Sequence, residues 1–490
     1  MWCKNAKEGW QFRAFTYGQC MLSAYTTVSY SYNDMFTVNA NTRIDGSNQF
    51  GSRSNEKILP IWSVSGLINM KQLININAAW LDELSLKSSY GEQGNMLNSQ
   101  AAVMWLKKGT MSTYYNEMTS TVSAFANPDL KWEKTHSFNS GLELSILKSR
   151  FMISLEYYYK RTTDAFMNKP ISDINGYTSY VVNSGTLTNK GYNVSLTGTP
   201  FRTRNLSWII SGSLSKIMNE IHTNPGKDYY GLDAFLDGTV VVKGKPVSTF
   251  YSYKFMGLSP EDGGPLFDDW EDRCTELIGL SQYDTFTKVL VASGKREPDI
   301  SGSINNTIRY KALRLGVLMN YSLGGKVRLF KAFGQDANGS SSGQIYPEFN
   351  LNRVLLNRWM KPGDEQHTNI PAIITPGSDS YYRYNDHYSS GSNYNGVKLA
   401  DNAWNMYDYS TIRVVSANYL RIANVSLTYE LPQRFLDYLK MQRVAITFSA
   451  SNLYTFCDKA LRGQTPTQGG FSSVQLSDVP LYTLGVNLQF

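Results

Sequence analysis

The stretch Thr483–Phe490, TLGVNLQF, closes the chain, with Tyr482 immediately before it. Tyr482, Leu484, Val486, Leu488 and Phe490 alternate with Thr483, Gly485, Asn487 and Gln489. In a β-strand successive side chains point to opposite faces, so this alternation assigns one face to hydrocarbon and the other to a watery interior. One such strand is weak evidence, because a soluble edge strand has the same period. The reading therefore depends on repetition.

The pattern recurs upstream in segments long enough for a tilted strand to cross a membrane, about 9–11 residues. Phe36, Val38, Ala40 and Ile44 interleave with Thr37, Asn39, Asn41, Arg43 and Asp45, leaving the charges on one face. Phe138, Leu142, Leu144 and Ile146 are followed, after a short turn, by Phe151, Ile153, Leu155, Tyr157 and Tyr159, which reads as a hairpin. Later sets are Leu313 to Tyr321, Tyr419 to Tyr429, and Val444 to Ala450. The expectation is an all-β fold, a transmembrane antiparallel β-barrel with roughly thirteen wall strands.

Composition agrees. The chain has 490 residues, 42% hydrophobic and 18% charged, yet no uninterrupted apolar run approaches the roughly 18 residues of a membrane helix. Mean hydropathy is −0.34, as expected when lumenal faces and long polar loops offset a lipid face. Its 33 tyrosines and 22 phenylalanines would supply aromatic girdles, and would equally suit a carbohydrate-binding surface. The net charge of +7 is not gathered into a nucleic-acid groove, so no nucleic-acid partner is expected.

Catalytic and metal signatures are missing from the sequence. Cys3, Cys20, Cys274 and Cys457 lack metal spacing and read as isolated thiols. His136, His222, His367 and His387 form no H-E-x-x-H array. Glu261, Asp262, Asp268, Asp269, Glu271 and Asp272 fall in one segment, but their spacing is not that of a calcium-binding EF-hand, and they read as a solvated acidic loop. No cofactor and no enzyme activity are expected.

Turn lengths assign the two sides. Tyr32–Asp34, Lys148–Ser149, Pro200–Asn205, Lys311–Ala312 and Leu431–Met441 read as periplasmic turns. Gly91–Lys131, Glu220–Pro298, Gly325–Asn418 and Asn452–Pro480 read as outer loops, rich in turn-forming runs such as Asn338–Gly343 and Ser389–Gly396. Met1 leads into Trp2, Cys3, Lys4 and Asn5 without the apolar core of an export signal, which reads as a missing beginning. Residues 1–20 are expected to be an irregular segment or loop remnant, and 21–490 the barrel portion. An odd strand count leaves first and last strands running the same way, so the barrel is expected to be incomplete.

Several segments, in order, resemble the SusC/RagA family of TonB-linked outer-membrane transporters. They are Tyr30–Gly51, YSYNDMFTVNANTRIDGSNQFG, then Leu86–Asn95, LKSSYGEQGN, and Asn127–Glu133, NPDLKWE. Glu156–Asp164, EYYYKRTTD, Asn183–Gly191, NSGTLTNKG, Tyr419–Pro432, YLRIANVSLTYELP, and Ser451–Leu453, SNL, follow before the closing strand. The resemblance implies roughly thirteen of the 22 strands of a plugged barrel, with the plug domain absent. It further implies import of oligosaccharides or peptides, a SusD-like surface lipoprotein over the outer loops, and a TonB complex acting through the plug. Thr483, Gly485, Leu488 and Phe490 resemble the signal read by the barrel-assembly machinery. Two other classes fit parts of the pattern: a secreted all-β carbohydrate-active enzyme, and a passive outer-membrane porin. Outer-loop aromatics, among them Tyr114, Tyr115, Tyr229, Tyr230, Trp270, Tyr381, Tyr382, Tyr384, Tyr394 and Trp404, suit ligand stacking and loop packing equally.

Overall fold

The computed structural model describes residues 21–47, 58–96, 104–124, 126–170, 174, 179–223, 230–333, 352–375, 377–391, 393–394, 397–398, 402–461, 463–468 and 477–490. Residues 1–20, Asn338–Gly343, Tyr229, residues 48–51 at the end of the Tyr30–Gly51 segment and the side chain of Tyr394 lie outside the described residues.

Thirteen strands form a single sheet in chain order. They are β1 (Met21–Tyr32), β2 (Phe36–Ser47), β3 (Ile58–Asn69), β4 (Leu81–Asn95), β5 (Glu133–Ile146), β6 (Phe151–Pro170) and β7 (Ser179–Arg202). The rest are β8 (Leu206–Ile221), β9 (Ile300–Tyr310), β10 (Leu313–Leu323), β11 (Tyr419–Glu430), β12 (Arg443–Cys457) and β13 (Leu481–Gln489). Every neighbouring pair is antiparallel, the wall of a β-barrel. Among the described residues β1 and β13 are each paired on one side only, so the sheet is open.

Register turns the alternation of single strands into continuous rows. Trp208, Ile308, Leu315, Leu427, Phe448 and Leu484 lie side by side across six strands on one face. Leu84, Leu144, Ile153 and Leu196 make a similar row across β4 to β7. The opposite face carries short polar ladders: Ser29 with Asn39 at 2.6 Å, Thr135 with Thr162 at 2.8 Å, Ser213 with Ser303 at 2.9 Å, and Thr428 with Thr447 at 3.0 Å. There too Lys87 reaches Glu143 at 2.6 Å and Glu156 at 3.3 Å. A single-residue slip would exchange the faces, so the greasy belt and polar ladders together fix register.

Aromatic pairs mark both rims. Tyr32 stacks on Phe36 and Phe201 on Trp208 beside the short turns, while Trp62 meets Tyr90, Tyr157 meets Tyr192 and Tyr454 meets Phe456 toward the other end. Such girdles sit at headgroup level. At the β1–β2 turn Asn33 and Asp34 both have positive φ (45° and 53°), as a type I′ turn requires and as these two residue types tolerate.

The expected turns and loops need four adjustments. β7 runs through Pro200 to Arg202, leaving only 203–205 as the turn. The β11–β12 connection contains a helix, Gln433–Leu439, and the β3–β4 connection on the same side, which the pattern had not marked, opens with the helical turn Met70–Leu73. β12 continues past Asn452 to Cys457, bending where the register with β11 shifts. No helix among the described residues is long and apolar enough to cross a membrane.

Candidate functional site: a folded cap on the outer loops

The segments following β8 and β10 do not behave as loose loops. Phe235, Tyr251, Phe267 and Phe286 from the first bury against Phe333, Tyr384, Trp404 and Tyr407 from the second in one hydrophobic cluster. The rings meet mostly edge to face, as Phe235 does with Phe286 at 5.5 Å and Phe333 with Tyr407 at 5.7 Å, while Tyr381 stacks flat on Trp404 at 5.1 Å. Edge-to-face contact places a positive ring edge on a negative ring face, which specifies geometry as well as burying area.

Local sequence builds the pieces. Ser281 accepts a hydrogen bond from the Asp284 amide and starts the helix Gln282–Val289; Ser378 and Asn402 cap Asp379–Asn385 and Ala403–Asp408 in the same manner. Each segment also forms a two-stranded ribbon, Thr249–Ser252 with Val291–Lys295 and Lys326–Arg328 with Val414–Ser416. The segments are then stitched together: the Phe267 amide donates to Tyr388 Oη, the Ala372 amide to the Gly263 carbonyl, and Thr411 N–H to the Tyr253 carbonyl.

Three charges are enclosed in this cap. Arg328, Asp408 and Arg413 are each under 5% exposed. Asp408 accepts from the Ala332 and Phe333 amides at 2.7 and 3.3 Å and faces Arg413 at 3.7 Å. Burial pushes its carboxyl up to about 6, outweighing the opposing pull of Arg413 and the two amides. Arg328 donates to the Tyr251 carbonyl and lies over the Tyr409 ring; burial lowers its guanidinium to about 10. From the last outer loop, Gln464 reaches in to accept from the Phe330 amide and donate to the Arg328 carbonyl.

The acidic segment is less solvated than its charge suggests. Asp262 accepts from Tyr384 Oη at 2.6 Å, and Asp268 is paired with Lys254 and Arg273. Of the loop aromatics, Trp270, Tyr384 and Trp404 belong to the core and Tyr230 and Tyr381 pack on it, so packing accounts for these five. Tyr382 is half exposed, and Tyr114 and Tyr115 project at the tip of a hairpin, Trp105–Met111 with Met118–Ala124, that the sequence pattern had not resolved. Cys274 and Cys457 are free thiols, and Cys3 and Cys20 lie outside the described residues.

A second built feature braces the outer rim. Asn183 Nδ2 donates to the Lys131 and Asp164 carbonyls while its Oδ1 accepts from the Lys131 amide. Asn127 donates to the Val181 carbonyl, and Glu133 accepts from the Phe166 amide and Asn95. Asn127–Glu133 thus clasps the far end of the β6–β7 hairpin, away from its turn-side neighbours on β5 and β8. Further along β7 Gly191 is required: a Cβ there would stand 2.2 Å from the Lys216 carbonyl oxygen.

The four residues of the terminal pattern divide between faces. Thr483 and Gly485 oppose Ser449 and Thr447 on the polar side; Leu488 opposes Val444 on the apolar side, and Phe490 follows the strand, well exposed.

Comparison with known proteins agrees with this architecture. A family described as "TonB dependent receptor-like, beta-barrel" matches residues 9–321. TonB-dependent receptor P26 of Formosa agariphila is 29% identical over 497 residues, covering 96% of this chain and 46% of the relative. TonB-dependent receptor SusC of Bacteroides thetaiotaomicron is 24% identical over 353 residues, 67% of this chain and 34% of the relative. Among solved structures, a RagAB peptide transporter superposes with a TM-score of 0.75 at 23% identity, covering 96% of this chain and 48% of that one. The chain spans about half the length or less of the curated relatives it matches.

Proposed function

The chain belongs to the TonB dependent receptor-like beta-barrel family of the outer membrane, and from that premise we propose that it is the C-terminal portion of a SusC/RagA-like transporter importing oligosaccharides or peptides. The family is not enzymatic, and the mechanism is gated passage. The observation that carries the reading is the union of two features in one chain: a wall with a greasy exterior and polar interior, and a folded aromatic cap over its outer end. A passive porin has no need of so large an ordered superstructure.

In this reading a SusD-like surface lipoprotein sits over the cap, and the TonB complex drives transport through a plug supplied by the remainder of the protein. Residues 1–20 enter as an upstream remnant and 21–490 as the barrel portion. Thr483, Gly485, Leu488 and Phe490 form the signal presented to the barrel-assembly machinery; support comes from exposed Leu488 on a strand paired on one side and exposed Phe490 immediately after it. Cells carrying the whole gene should take up labelled oligosaccharide or peptide, and inactivating TonB should abolish the uptake. Uptake indifferent to TonB would replace the reading with passive diffusion. Deleting Phe490 should sharply reduce outer-membrane insertion, and unchanged insertion would remove the assembly signal.

A further inference from the structure

Within the acidic segment, three of the six carboxylates are held by neighbouring side chains: Glu261 pairs with Arg383, Asp262 with Tyr384, and Asp268 with Lys254 and Arg273. Asp269 and Glu271 differ. Among the described residues neither has a lysine or arginine partner; Asp269 instead meets His387 Nε2 at 3.0 Å. One ligand atom from each of Asp269, Glu271 and His387 lies within 4.8 Å of the other two. Trp270, between the two acids, holds its ring in the core, while His387 comes from the second cap segment beside buried Tyr388. Two core-anchored residues therefore present an imidazole and two carboxylates to one point from chain positions more than a hundred residues apart.

We propose that Asp269, Glu271 and His387 bind a divalent transition-metal ion of the zinc class, which staples the two halves of the cap. The donor set selects the metal. Calcium and magnesium favour oxygen-only shells, whereas an imidazole nitrogen with carboxylate oxygens suits zinc, with water completing a tetrahedron. The two carboxylates neutralise the ion's charge, and the exposed side chains have room to close on it. The site thus converts a contact between two loops into a metal-dependent crosslink at the outer surface.

The test uses detergent-solubilised protein containing the complete chain, stripped of metal and dialysed against zinc alone, with bound metal and tryptic cleavage of the cap both measured. The expected result is one more zinc ion in the unmodified protein than in His387→Ala or Glu271→Gln. Affinity should fall by more than the roughly 10- to 100-fold that losing an outer hydrogen-bond partner costs a zinc site. Zinc should slow cleavage of the cap in the unmodified protein only, and calcium at equal concentration should not displace it. Equal zinc content in all three proteins, displacement by calcium, or an equal loss in His367→Ala would each overturn the proposal.

Discussion

At the scale of single residues the cap turns on Asp408. Its side chain is fully buried; it accepts from two backbone amides and lies 3.7 Å from the Arg413 guanidinium. Removing one partner of a buried ionic group costs roughly 3–5 kcal/mol, because the other polar groups stay buried without it. Asp408→Ala should therefore make the cap markedly more sensitive to protease, and Asp408→Asn, which keeps one acceptor, less so. The pH dependence has a definite sign. Because burial raises the folded-state value to about 6, the fold favours the protonated acid. This contribution is complete below the ordinary carboxylate range and fades as pH rises through about 6. Proteolysis of the cap should slow as pH falls from 7 to 5, and Asp408→Asn should flatten that slope. Asn183 is the corresponding residue of the rim: Asn183→Ala strands two carbonyls and an amide, and faster hydrogen exchange over Asn127–Glu133 should follow.

At the scale of elements, the wall strands were legible in the sequence because two-residue alternation is a local signal. β13 and β12 show why: apolar Leu484 opposes Phe448, and polar Thr483 opposes Ser449. The cap was not legible, although the serine and asparagine caps of its helices stand in the sequence. Its core joins Phe235 and Phe286 to Phe333 and Tyr407 across long separations, and no period within either segment encodes that meeting. The cluster of Asp269, Glu271 and His387 was hidden for the same reason, since its members look scattered until the segments pack. The clasp at Asn127–Glu133 was visible as a motif, but its purpose emerged only with its partner strand. The two faces of a wall strand make opposite predictions. A charge on the lipid face near the membrane midplane costs about 2–4 kcal/mol. Leu427→Arg should depress outer-membrane insertion, and Thr428→Arg, one residue on and facing inward, should be tolerated; comparing the folded, heat-modifiable fraction of each decides it.

At the scale of the whole molecule, the thirteen strands among the described residues leave β1 and β13 running in the same direction, so these edges cannot pair antiparallel with each other. A second copy inserted the same way offers only edges of that direction, and closure needs an intervening odd number of strands. The central claim beneath this geometry is that each strand separates hydrocarbon from water. Spin labels placed singly along 444–451 and 481–489 of the membrane-embedded protein test it most directly, by accessibility to oxygen and to a water-soluble nickel complex. The account predicts oxygen-rich positions at Ile446, Phe448, Leu484 and Val486 and nickel-accessible ones at Thr447, Ser449, Thr483 and Gly485, alternating residue by residue. Equal accessibility of the two sets, or a helical period, would contradict it.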